Sequence, residues 1–394
     1  MATHIGIGFS QHLNAERAAG EAAYQAKSQI KAESIHLVFI LSTIHYPPQK
    51  TLPVIHDILH AKSTMGCSTA GLISSNAIKT RGVAVLAITS DQIQFGVGSV
   101  DDIAAQDPHH AGSVLAKNTV DNFGKLNKHV FLFLINGQLR NNTPFLRGIQ
   151  DILGNFFPVV GAGSSDDFHF KQSFHMYQNL PFVQSAVGLL LGGQVAIGIG
   201  SRHGWRPLGK PRLIDRVNGN IIVSIDGKKA IHLYEEYFGK ETEHMKSSPL
   251  GPMAILYPLG INVGGGEYLL RNAVDILPDG SIVCQGDVPG KAEVHIMIGN
   301  KESCKQAALE AAQEAHHQLG GRPAKIIIVI ESMTRLKLLG RQAFQEIEKI
   351  HEVFSPSVPI FGMYANGEIY PFQSTDRFKR PHLQNESITV MAIA

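Results

Sequence analysis

One short pattern occurs three times along the chain, each time where an apolar run breaks into glycine and small polar residues. The copies are Met65-Gly66-Cys67-Ser68-Thr69-Ala70-Gly71, Val160-Gly161-Ala162-Gly163-Ser164-Ser165-Asp166 and Phe361-Gly362-Met363-Tyr364-Ala365-Asn366-Gly367-Glu368. Each follows a stretch with helical spacing and, further back, a strongly apolar strand. Each is followed, after an insert of variable length, by another apolar strand: Val83 to Ile88, Ala186 to Leu191 and Ser387 to Ile393. Internal repeats constrain a fold more than any single element, but this unit is too long and its inserts too unequal for a solenoid. The pattern predicts a repeated α/β module with its glycine turns at strand ends.

The intervening residues fit that unit. In the first copy, Ile5 to Phe9 is a strand, and Asn14 caps an alanine-rich helix to about Lys31. Ile35 to Leu41 is too continuously apolar to face water on one side, and Leu52 to Lys62 reads as helix. In the second copy, helices are expected at Ala111 to Asn122 and Pro144 to Leu153 around a strand at Val130 to Ile135. The third copy offers a helix at Lys301 to Leu319, a strand at Lys325 to Ile330 and a helix at Arg341 to Phe354. Gly192-Gly193 and Asn218-Gly219 are both hairpin signals, and Lys228 to Phe238 is expected to be helical. Alternating strands and helices with interspersed hairpins imply α/β modules on mixed β-sheets.

Composition narrows the function classes. The 394 residues are 44% hydrophobic and 17% charged, with a net charge of +2, so there is material for two or three domains and no basic face for nucleic acid. No apolar run is long enough to cross a bilayer, and Met1-Ala2-Thr3-His4 leads into a strand without signal-peptide features. Three cysteines, Cys67, Cys284 and Cys304, form neither a disulfide framework nor a zinc pattern. These readings point to a cytoplasmic protein. The 19 histidines raise the expectation of a histidine-ligated metal or haem.

Several stretches resemble the FIST family, predicted intracellular sensory domains with paired N- and C-terminal halves. They are Gly66 to Gly71, Arg206-Pro207-Leu208-Gly209, Ile225 to Ala230, Tyr268-Leu269-Leu270-Arg271 and Gly362 to Pro371. The C-terminal motif departs from the family's usual form in a long insert between Phe372 and Asn385. The resemblance implies an N-terminal sensory domain at 1–202, holding two related modules, and a C-terminal domain at 203–394, holding the third module plus hairpins. It implies a small-ligand sensor rather than an enzyme. The haem-binding, nitric-oxide-sensing members suggest iron as the sensing metal in a two-component system. Output would pass to a separate histidine kinase or cyclic-di-GMP enzyme, since no kinase or cyclase segment is attached. A homo-oligomer is compatible with this. The alternative is a haem-free sensor of an amino acid or related metabolite.

His203 is the expected haem ligand and metal site, with Trp205 and Arg206 lining the cofactor. It follows Gly198-Ile199-Gly200, where glycine would let a flat macrocycle approach the backbone, and a histidine-bound ferrous haem binds diatomic gases. The competing reading is a loop histidine bonded to backbone. His45, His169, His175, His232 and His295 are other possible ligands. A metabolite pocket is expected where the glycine turns meet, from Gly66, Cys67, Ser68, Thr69, Gly161, Ser164, Asp166, Arg271, Tyr364, Asn366 and Glu368. Turn amides bind anions, and Asp and Glu suit an amino group, although the same residues also serve as turn formers. Cys67 as a nucleophile gives a weaker third reading, a hydrolase or transferase.

Overall fold

The computed structural model describes residues 3–32, 34–139, 141–167, 169, 171–242, 256–371 and 380–394. The repeat is real and runs three times. The first module comprises β1 (Thr3–Ser10), helix Ala15–Ser28, β2 (Leu37–Ser42), helix Pro48–Leu59, β3 (Ser63–Ser68), a hairpin of β4 (Leu72–Ser74) and β5 (Ile78–Lys79), and β6 (Val83–Ser90). The second comprises β7 (Ile93–Val100), helix Pro108–Asp121, β8 (Lys128–Asn136), helix Thr143–Leu153, β9 (Val159–Ser164), a hairpin of β10 (Phe174–Tyr177) and β11 (Leu180–Val183), and β12 (Ala186–Gly193).

The third module opens with β13 (Ile197–Arg202) and is then interrupted. The interruption holds β14 (Arg206–Asn218), β15 (Ile221–Ile225), β16 (Lys228–Lys229), helix His232–Phe238, β17 (Leu259–Gly264), β18 (Glu267–Arg271), β19 (Ala273–Ile276), β20 (Ile282–Cys284) and β21 (Glu293–Ile298). These strands form an eight-stranded sheet of their own. The module resumes with helix Lys301–Gln318, β22 (Ile326–Ser332), helices Met333–Leu339 and Phe344–Val353, β23 (Ile360–Ala365), a hairpin of β24 (Glu368–Pro371) and β25 (Pro381–Gln384), and β26 (Ile388–Ile393).

The three module sheets have the same plan: a central parallel pair (β2–β3, β8–β9, β22–β23) with antiparallel strands outside it. Their orders are β1-β6-β2-β3-β10-β11, β7-β12-β8-β9-β24-β25 and β13-β26-β22-β23-β4-β5. Each hairpin therefore completes a neighbour's sheet: the first module's joins the third, the second's joins the first, and the third's joins the second.

The continuous apolar strands follow from this ring. Leu37, Phe39 and Leu41 of β2 meet Val130, Leu132 and Leu134 of β8 and Ile326, Ile328 and Ile330 of β22 in one shared core. The alternate residues face each module's own helices, as Val38 and Ile40 do in the first. Successive strand residues point to opposite faces, so a strand buried on both sides has no polar position. In all three modules the first strand carries a glycine pair under the alanine-rich or small-residue face of a helix. A Cβ at Gly8 would lie 1.9 Å from the Ala22 carbonyl oxygen, and one at Gly200 would lie 1.9 Å from that of Ala311.

Most expected elements are present, and Asn14 caps its helix by accepting from the Arg17 N–H. Asn218-Gly219 does close the β14–β15 hairpin. Gly192-Gly193 does not close one: β12 is already paired on both sides, to β7 and β8, so the chain crosses to another sheet and β13 pairs with β26. The expected helix from Lys228 is shortened to His232–Phe238, because Lys228 and Lys229 pair with β15. The long insert in the C-terminal motif, from Phe372, lies largely outside the described residues.

Candidate functional site

The three glycine turns converge at the centre of the ring, each leaving the end of its central strand. Thr69 Oγ1 and Ser165 Oγ both donate to the Tyr364 carbonyl oxygen, at 2.9 and 2.8 Å. The Ala70 N–H donates to Ser165 Oγ, the Ser165 N–H to the Ser68 carbonyl, and the Asn366 N–H to the Gly163 carbonyl. Ser68, Thr69, Ser164, Tyr364 and Glu368 are fully buried. Several of their polar groups are engaged nearby: Ser164 Oγ donates to the Ile135 carbonyl and Glu368 Oε2 accepts twice from Ser387, while Glu368 Oε1 is buried without a hydrogen-bond partner among the described residues. Gly66 and Gly161 lie inside strands against Ile40 and the Phe133 ring. Asp166 takes the N–H groups of Lys171 and Gln172 as a local turn former. The structure brings these residues together as a closed hydrogen-bonded junction.

Cys67 sits in the shared core with no exposed surface, paired across strands with Leu41 and His175. Burial pushes its thiol far above the ordinary range, the reverse of what activates a nucleophile.

Beside the junction lies a cluster of charge that no local pattern in the sequence announces. Arg335, fully buried, donates to the carbonyl oxygens of His203, Glu386 and Cys304 and to Glu346 Oε1, and lies 3.4 Å from Glu331. Glu331, Glu346, Glu368 and Glu386 are all fully buried around this one cation. Burial pushes Glu368 and Glu386 up to about 8 and raises Glu331 as well, so several carboxyls stay protonated near neutrality. Only the four-residue spacing of Glu331 and Arg335 across a strand end and helix start hinted at a pair.

His203 is at the wall of a cleft of about 310 Å³ that also involves Trp205, Arg206, Glu267, Gln306 and Tyr370. Its Nδ1 accepts the Trp205 backbone N–H at 2.9 Å. A ring nitrogen that accepts leaves the proton on Nε2, whereas an iron ligand needs Nε2 bare and Nδ1–H donating to an acceptor. Burial, then the charges of Arg335 and Arg202, push the imidazole down to about 4. Trp205 is 3% exposed, its ring pressed on Gly299 and under the Arg335 guanidinium, 5.8 Å from centroid to Cζ. Gly198 and Gly200 are covered by helix Lys301–Gln318. In this arrangement the residues do not fit a haem. The other histidines are dispersed: His175 is buried against Ser185, His232 pairs with Glu235, and His295 packs edge-on to Tyr268. Among the described residues no group of three or more His, Cys, Asp or Glu is arranged to hold a metal ion.

Arg271 lies apart from the turns, on the wall of a cavity of about 660 Å³. Helix Thr143–Leu153 forms one side through Thr143, Leu146, Arg147 and Gln150, the interrupting sheet forms another through Val263, Leu269 and Val288, and residues 380–383 close a third. The cavity thus sits on the seam between the second module and the inserted sheet. A polar chain runs from it to the junction: the Asn272 N–H donates to Asn385 Oδ1, Asn385 Nδ2 to Gln285 Oε1, and Gln285 Nε2 to the Asn366 carbonyl.

A three-module α/β ring interrupted by a separate sheet, with a cavity on the seam, is the class of protein this fold defines. The FIST N domain model matches residues 36–228 and the FIST C domain model residues 230–371, and the chain belongs to the FIST family, whose domains are sensory domains of signalling proteins. An uncharacterized protein of Mycobacterium tuberculosis is 20% identical over 374 residues, covering 93% of this chain and 94% of its own. An uncharacterized protein of Methanocaldococcus jannaschii is 26% identical over 190 residues; the match spans 45% of this chain and only 36% of that relative. Among solved structures, a cyanuric acid hydrolase of A. caulinodans is 9% identical with a TM-score of 0.41, covering 100% of this chain and 99% of that one. Phosphoribosylformylglycinamidine synthase II of Thermotoga maritima is 10% identical with a TM-score of 0.23, covering 99% of this chain and 72% of its own. Among the described residues no helix is long and apolar enough to cross a membrane.

Proposed function

We propose that this FIST protein senses a small metabolite at the seam cavity and passes its state by contact to a separate signalling protein, a histidine kinase or a cyclic-di-GMP enzyme. The observation that carries the reading is the placement of the 660 Å³ cavity, within the usual range of small-molecule sites. It lies where two substructures meet, so a ligand there contacts both and biases their arrangement. The hydrogen-bonded chain from Asn272 through Asn385 and Gln285 to Asn366 supplies a physical connection to the ring centre. Coupling requires only that the ligand bind one arrangement better than the other.

The second reading is the haem-based nitric oxide sensor. It rests on His203 lying on the wall of a cleft beside Trp205, and it requires the Trp205 N–H bond to Nδ1 to be given up. One experiment separates the two: the purified chain is titrated with haem and, separately, with a metabolite panel by thermal shift. Saturable stabilisation by a metabolite without a Soret band that depends on His203 supports the metabolite sensor. A Soret band that is lost in His203→Ala, with no metabolite response, overturns it in favour of haem.

A further inference from the structure

The charge balance of the seam cavity identifies the kind of ligand it takes. Arg271 is 3% exposed, yet its guanidinium bonds go to main-chain oxygens: Nε donates to the Asp287 carbonyl at 2.8 Å, and Nη1 donates to those of Leu270 and Leu383, both at 2.9 Å. No carboxylate pairs with it among the described residues, and its Nη2 makes no hydrogen bond to them. A buried cation without a counter-ion is costly, and this one borders open volume. The cavity's acidic side chain, Asp287, is already engaged: Oδ2 accepts from Arg147 at 2.9 Å and Oδ1 from Asn141 at 2.7 Å. Helix Thr143–Leu153 starts at the same wall, its first N–H donated to Asn141 Oδ1 at 3.0 Å. Leu146, Val263, Leu269 and Val288 give the lining an apolar part, beside the polar Thr143, Gln150 and His382.

We propose that this cavity takes a small carboxylic acid with an apolar body and no ammonium group, with Arg271 as the carboxylate anchor. The inference rests on the sensory reading above and narrows its ligand class. With Nε and Nη1 held by main-chain oxygens, Arg271 offers its Nη2 as a fixed, charge-assisted donor to a carboxylate oxygen. Among the described residues an ammonium group would meet the Arg271 cation and find no unengaged acid, so an α-amino acid is disfavoured relative to the same acid without its amine.

The test is calorimetric titration of the full chain with 4-methylpentanoate, its amide, leucine and inorganic phosphate. The expected result is binding of 4-methylpentanoate at least about tenfold tighter than its amide or leucine, from loss of a charge-assisted bond in the first case and added repulsion in the second. Phosphate, which has the charge but no apolar body, binds more weakly than the acid. Arg271→Lys weakens the acid about tenfold or more, and Gln150→Trp, a partly exposed position on the cavity wall, abolishes binding with the melting temperature retained. Leucine binding as tightly as the acid overturns the ligand class. Acid binding that survives Gln150→Trp overturns the site, and with it the seam cavity as the place of sensing. Failure of the acid to bind at all overturns this inference, and the metabolite and haem titrations then decide the sensory reading by themselves.

Discussion

At the scale of single residues, Arg335 is the position with most at stake. It lies against the buried carboxyls of Glu331 and Glu346 and caps three carbonyl oxygens from three separate stretches of chain. Arg335→Met is expected to cost about 3–5 kcal/mol, the cost of breaking a buried ion pair by removing one partner, read as a shift of the urea midpoint. Arg335→Lys keeps the charge but loses the fork, so a loss between wild type and Met is expected. An unchanged midpoint in Arg335→Met would refute the account. This residue was not legible in the sequence. Beyond Glu331, four residues away, its partners lie at positions 346 and 386 on other elements, and such a cluster leaves little local spacing to read. His203 was legible as a singular position, and the backbone bond to its Nδ1 was the competing reading of the same residue.

At the scale of elements, local signals served where the cause is local. Asn14 as a cap, the Asn218-Gly219 hairpin and the doubly buried strands were all readable, because capping, turn chemistry and burial act within a few residues. The Gly192-Gly193 signal misled, since whether two strands pair depends on which sheet edges are still unpaired. The pair at Gly198 and Gly200 suggested a ligand's approach and lies instead under a helix, as Gly6 and Gly8 do in the first module. Gly8→Val is therefore expected to destabilise by about 2–4 kcal/mol, as overpacking against helix backbone that cannot yield. A melting temperature within a degree of wild type would contradict that packing role. The hairpin exchange itself could not be read from the sequence, because β4 and β5 look the same whichever sheet they join.

At the scale of the whole molecule, buried titratable groups set a pH profile. His175 and His203 are pushed down to about 4 from 6.5, so the unfolded chain binds more protons and stability falls as pH drops from 6.5 toward 4. Glu368 and Glu386 are pushed up to about 8 from 4.5, so the folded chain keeps protons that the unfolded chain loses, and stability falls as pH rises from 4.5 to 8. Below 6.5 the two effects oppose each other; above it only the glutamates remain. Stability should be roughly level between pH 4.5 and 6.5, where the two pairs offset each other, and fall from pH 6.5 toward pH 8, by about 1.4 kcal/mol per pH unit for each differential proton. Melting curves at pH 6.5 and 8 check this, and Glu368→Gln should flatten the slope. A melting temperature that rises over that interval would refute the assignment.

The exchanged hairpins also set a timetable for synthesis. Ile73 of the first hairpin pairs with Gly362 of the third module, about 290 residues later. At translation rates of about 5–20 residues per second, that hairpin waits on the order of 15–60 s for its partner strand. During that interval the nascent chain carries apolar strand edges with nothing beside them, exposed to every neighbouring polysome. Slow codons placed early would lengthen the wait, and a chaperone that covers β4 and β5 would shorten the dangerous part of it. The ring closes only when its last segment leaves the ribosome.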